Sequence, residues 1–93
     1  MGYTFEWDTR KAESNAFKHG VTFDEASTAF GDPLALLMRD PGHSLGEERY
    51  VLLGMSDQHR LLVVTFAERP PHTRLISARK ATRRERRRYE EEG

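Results

Sequence analysis

The stretch Arg60-Leu61-Leu62-Val63-Val64-Thr65-Phe66-Ala67 decides how this chain folds. Its apolar side chains fall on both alternating faces, so a strand built from it is covered above and below and belongs in the middle of a sheet. On its N-terminal side, Ser56-Asp57-Gln58-His59 reads as a turn that folds it back on a strand from Glu48 to Met55. On its C-terminal side, Arg69-Pro70-Pro71-His72 is a stiff connection, because adjacent prolines fix the backbone, and Thr73 to Arg79 reads as another strand. Further out, Leu34 to Arg39 predicts a strand broken by Asp40-Pro41-Gly42 and the polar run to Gly46, and Tyr3 to Trp7 a short first strand.

Helical signals flank these strands. Asp8 as N-cap and Gly20 as stop predict a helix over Thr9 to His19, with Ala12, Ala16 and Phe17 sharing a face and Lys11, Asn15 and Lys18 marking others. Thr22 and Glu25 form a capping box for a second helix through Phe30, with Phe23, Ala26 and Phe30 inward. Ala81 to Glu92 reads as a closing helix on which Ala81, Glu85 and Tyr89 share one face. The order β-α-α-β-β-β-β-α predicts one α+β domain over residues 1–93. Its sheet is expected to be mostly antiparallel, with the helices against one side and the other face left for a ligand or partner.

Composition narrows the function. With 37% hydrophobic and 32% charged residues, the chain is globular rather than disordered. It has no cysteine, which excludes disulfides, thiolate metal sites and cysteine nucleophiles. None of the four histidines, His19, His43, His59 and His72, has a metal-like partner at helical spacing, so no metal or other cofactor is expected. No apolar run approaches the ~20 residues of a membrane span, which predicts a soluble, cytoplasmic protein with no membrane partner. Glycine-rich phosphate loops, nucleophile elbows and dinucleotide fingerprints are absent from the sequence, leaving nucleotide hydrolysis and serine chemistry unsupported.

The net charge of zero hides a basic block: Arg79, Lys80, Arg83, Arg84, Arg86, Arg87 and Arg88 hold nearly half of the fifteen Lys and Arg residues. Such a patch attracts phosphates while the chain stays neutral overall. Within it, Arg74 and Arg79 are the sharpest candidates, since a guanidinium fork donates paired hydrogen bonds to phosphate oxygens. In a regular strand these two positions point to opposite faces, so they act together only if the strand ends or bulges before Arg79. Glu85 could hold the Arg79 guanidinium in place or serve as a general base; an adjacent arginine lowers its pKa and favours the first role. Lys11 could neutralise charge on a phosphate or leaving group. The arginines from 83 to 88 spread around the helix, most of them solvated. His19 sits at a helix C-terminus, where the dipole accounts for it. The turn histidines rank below the arginines.

Several spaced residues coincide with one family. They are Phe5-x-Trp7-Asp8-x-x-Lys11, Asn15-x-x-Lys18-His19-Gly20-Val21-x-Phe23-x-Glu25-Ala26, Phe30-x-Asp32, Glu48-Arg49, Leu62-Val63-Val64, Arg69, Arg74-x-Ile76-Ser77-Ala78-Arg79-x-Ala81, Glu85 and Tyr89. In their order and spacing the chain resembles the BrnT toxins of type II toxin–antitoxin pairs. The resemblance implies a RelE-like fold and a ribonuclease that blocks translation. It further implies neutralisation by a BrnA-like ribbon-helix-helix antitoxin, with promoter DNA bound only through the antitoxin complex. Carried over, the catalytic candidates are Lys11, Arg74, Arg79, Glu85 and Tyr89, with Arg49, Arg69 and Arg83 as RNA-binding candidates. The expected chemistry needs no metal: the RNA 2′-hydroxyl attacks the neighbouring phosphorus while cationic side chains stabilise the developing charge. The competing reading is a non-catalytic nucleic-acid or partner-binding module that uses the same arginines for phosphate contacts alone.

Overall fold

Alternation along the central strand sorts its side chains into two separate cores, and the rest of the chain is arranged around them. A computed structural model describes residues 3–40 and 47–92. Its elements are β1 (Phe5–Glu6), α1 (Thr9–His19), α2 (Phe23–Thr28) continued by a 3-10 turn (Ala29–Gly31), β2 (Leu36–Arg39), β3 (Arg49–Met55), β4 (Leu61–Arg69), β5 (His72–Lys80) and α3 (Arg83–Glu92). The five strands form one sheet in the order β1-β5-β4-β3-β2, so β4 is central. The sheet is mixed: β1 runs parallel to β5, and the other pairings are antiparallel. Pro70 and Pro71, joined by a cis peptide bond, form the turn between β4 and β5, whose pairing runs out to Arg69 and His72. The predicted break after Asp40, and His43 within it, lie outside the described residues.

On one face, Leu62, Val64 and Phe66 of β4 meet Val21, Phe23, Ala26 and Ala29 of the α1–α2 region, with Leu52, Leu75 and Ala78 beside them. Phe30 packs edge-on against both Phe5 and Phe66 at 5.0 Å, in the edge-to-face arrangement that ring quadrupoles favour. β3 approaches this layer closely at Gly54, where an added Cβ would lie 2.9 Å from the Ala29 carbonyl oxygen. On the other face, Leu61 and Val63 pack with Leu53 and Tyr89. The helices therefore do not share one side. α1 and α2 cover one face and α3 covers part of the other, because Tyr89, the one buried residue of α3, inserts among the outward-facing residues of β3 and β4.

Local expectations are corrected in four places. The first strand shortens to Phe5–Glu6. Phe17 is 92% exposed, and the buried residue of α1 is Asn15. The reason is hydrogen bonding: the Asn15 carboxamide donates to the Ala78 and Val21 carbonyls and accepts from the Ala78 N–H. In α2, Thr22 accepts from the Glu25 N–H, but the Glu25 carboxylate turns inward. There it accepts from the Ser56 hydroxyl and the Arg60 guanidinium. The closing helix starts at Arg83 rather than Ala81, because Thr82 and Glu85 form a reciprocal capping box there, with bonds of 3.2 and 2.8 Å.

Candidate functional site

Arg74 and Arg79 share a face. Antiparallel partners point the same way, and Arg79 lies opposite Val63 while Arg74 lies opposite Ala67. Between them the register shifts: Ser77 pairs with Thr65 but Leu75 with Phe66, leaving Ile76 as the extra residue of a β-bulge. One inserted residue reverses the alternation downstream. Both arginines thus face the α3 side of the sheet, about 13 Å apart along the strand direction.

On that side, the strands and α3 enclose a cavity of about 380 Å³. Met38, Val51, Leu53 and Val63 give it an apolar floor. Thr65, Ser77, Arg79, Glu85, Arg88, Arg39 and Asp40 supply polar lining. Arg79 is held there by Glu85 through two bonds of 2.9 Å, and its Nη1 also donates to the Lys80 carbonyl. A guanidinium has five N–H donors. The Nε–H and one Nη2–H of Arg79 are therefore not engaged by any described residue. The Arg79 hydrogen bond holds the Glu85 carboxyl down at about 2, with further lowering by Thr82, so Glu85 is an anion at neutral pH. Such a carboxylate positions a cation well and accepts a proton poorly.

The other candidates are dispersed. Tyr89 is buried beneath α3, and its hydroxyl donates to Asp32 Oδ2 at 2.6 Å. That bond pushes its pKa up to about 12. Asp32 also accepts from the Leu34 and Met55 N–H groups, so the Tyr89–Asp32 contact anchors α3 to the start of β2, away from the cavity lining. Arg74 donates to Glu6 at 3.3 Å. Arg69 bonds Glu47, and Arg49 lies 3.9 Å from the same carboxylate. Arg83 is exposed on α3 and outside the cavity. Lys11 lies on the far side of β5, in a shallow depression with Ser14, Asn15, Lys18, His19 and Ile76. Ser77 lines both that depression and the cavity. His59 occupies the β3–β4 turn with φ of 62°, and His72 lies at the β4–β5 turn.

Among the described residues, no group of three His, Asp or Glu side chains is placed to hold a metal ion. No helix there is long and apolar enough to cross a membrane.

Residues 7–85 match the family model described as the ribonuclease toxin BrnT of type II toxin–antitoxin systems. The chain belongs to the BrnT family. Its fold is similar to the crystal structure of the Brucella abortus ribonuclease toxin BrnT, with a TM-score of 0.64 at 20% identity over 88% of this chain and all of that one. No curated protein matches the sequence. In this BrnT-family chain, sequence reasoning missed Thr65, Ser77 and Arg88 as cavity residues. Thr65 alternates in phase with Val63 and was readable from β4 alone. Ser77 was not, because the bulge that turns it inward has no glycine to announce it.

Proposed function

We propose that this protein is a metal-independent endoribonuclease that inhibits translation. In this reading, a BrnA-like ribbon-helix-helix antitoxin neutralises it, and promoter DNA is bound only through that complex. The fold is then of the RelE-like kind. One observation carries the reading: a guanidinium, fixed by a carboxylate, keeps unpaired donors at the wall of a cavity on an open sheet face.

The chemistry follows from that arrangement. The RNA 2′-hydroxyl gives up its proton to solvent water and attacks the adjacent phosphorus, and negative charge gathers on the non-bridging oxygens. The bond to the 5′-oxygen breaks to leave a 2′,3′-cyclic phosphate and a 5′-hydroxyl protonated by water. Arg79 donates to those oxygens without reorganising, because Glu85 already holds it. Glu85 is a positioning residue. Lys11, with Lys18 beside it, adds positive charge where the strand passes the edge of β5 at Ser77. Tyr89 supports α3 and takes no part in proton transfer.

The test is incubation of purified protein with RNA in EDTA, for the wild type and Arg79→Ala. Cleavage should proceed in EDTA and fall about 10²–10³-fold in the variant, the usual loss of one preorganised donor to a developing charge. An unchanged circular dichroism spectrum would show that the variant is folded. Cleavage that needs added metal, or that survives loss of Arg79, refutes the mechanism. Growth arrest on induction, relieved by a co-expressed antitoxin, checks the cellular role.

A further inference from the structure

Away from Arg79, at the β4–β5 turn end of the sheet, three arginines converge on one carboxylate. Glu47 accepts from Arg69 at 2.9 and 3.2 Å, Arg49 Nε stands 3.9 Å away, and Arg74 adds its field. The Arg69 hydrogen bond leads in holding the Glu47 carboxyl below the usual carboxylate range. Arg49 Nε is nevertheless buried without a hydrogen-bond partner among the described residues, since 3.9 Å is too long for one. A buried N–H left unmade is costly, so this cluster lacks an acceptor oxygen. Three guanidinium groups stand beside Glu47 and Glu6, with Glu48 and Glu68 lining the depression next to Arg69. A phosphodiester has the anionic oxygens to serve several arginines at once.

Arg49 and Arg74 both pair with Ala67, one from each side, so they lie in one cross-strand row. The Arg79 row, at Val63, is four residues along β4 and about 13 Å away on the same face. A few nucleotides of extended strand span that distance. We propose that Arg49, Arg69 and Arg74 form a second phosphate subsite for the same RNA strand, which the Glu47 carboxylate fills until the strand displaces it. The proposal rests on the RNA-cleaving reading of the Arg79 cavity. In consequence, Glu47 sets a length requirement: a dinucleotide reaches one subsite only, and a longer strand must evict the carboxylate to gain the second.

Binding of fluorescent 2′-O-methyl uridine dimers and hexamers, which cannot be cleaved by 2′-hydroxyl attack, tests this in the full-length protein by anisotropy. Glu47→Gln should tighten the hexamer about tenfold and leave the dimer unchanged, with Glu47→Ala as a second variant. Arg49→Gln and Arg69→Gln should each weaken the hexamer about tenfold. Each should also lower the slope of log affinity against log salt by about 0.7. Thermal melts identify the variants that are folded. A hexamer affinity unchanged or weakened in folded Glu47→Gln or Glu47→Ala overturns the proposal. Arg79→Gln in the same assay separates the two readings. Hexamer binding insensitive to Arg79 removes the cavity itself, whereas sensitivity to Arg79 with none to Glu47 or Arg49 removes the second subsite alone.

Discussion

Two arginine–glutamate pairs lie on opposite faces of the sheet, Arg60 with Glu25 under α2 and Arg79 with Glu85 under α3. In the first, the Glu25 side chain is 2% exposed, and Arg60 gives its Nε–H and Nη2–H groups to that carboxylate and to the Gly20 carbonyl. Ser56 adds a third donor to Glu25, and the group ties the β3–β4 turn to α2 and the end of α1. In the second pair the side chains are 43% and 30% exposed, and the Nε edge of the arginine stays open. The same chemical pair is a closed clasp in one place and a held-out donor in the other. The difference lies in which edge of the guanidinium meets the carboxylate, and in how much water reaches it.

Four experiments test that contrast. Arg60→Leu has the largest expected effect. It leaves a buried carboxylate without its cation and should lower unfolding free energy by about 3–5 kcal/mol in urea titrations. A loss below about 1 kcal/mol would mean that the clasp is not structural. Next, Arg79→Lys keeps the charge but removes the fork. RNA cleavage should fall by roughly one to two orders of magnitude, while stability changes by less than about 1 kcal/mol, as for other exposed pairs. Full activity in the lysine variant would make Arg79 a simple point charge. Tyr89→Phe should cost about 1–2 kcal/mol through the lost bond to Asp32, with the cleavage rate of the folded protein unchanged. A slower rate at equal stability would return Tyr89 to the chemistry.

The smallest effect is in acid. Glu85 titrates lower in the folded protein, at about 2, than its unfolded value of 4.5. Its stabilising contribution is therefore complete above about pH 4.5 and disappears as pH falls through 2. Glu85→Gln should flatten that part of the stability curve. An identical acid limb in wild type and variant would show that the fork contributes nothing to folding.

Much of this fold was legible because local signals agreed with the tertiary structure. Asp8 and Gly20 bound α1 where expected, and the doubly apolar β4 is central. What escaped depends on contacts between distant segments. Asn15 looks like a surface residue until the Ala78 peptide group is known to lie beside it. Glu25 satisfies a capping pattern, yet its carboxylate is claimed by Arg60, thirty-five residues away. The one buried side chain of α3 is Tyr89, too little apolar surface for its side of the sheet to be read from a pattern. The candidate site divides in the same way. Arg79 and Glu85 were readable as a pair because they are close in sequence. The common face of Arg74 and Arg79 depends on the bulge at Ile76, which no residue type marks.

The Asn15 carboxamide has a consequence for behaviour in solution. Among the described residues β1 pairs with β5 at Thr73 and Arg74, which leaves the later part of β5 without a strand on that side. A bare border is a template on which the strand of another molecule can add, the first step towards aggregation. By presenting one carbonyl and one N–H to Ala78, the Asn15 side chain acts as a single detached peptide unit. With that peptide group occupied, Ala78 has no bonds left to offer an added strand, while Ile76 and Ser77 beside it are half-buried. One amide thereby makes this border a poorer template for a second copy of the chain.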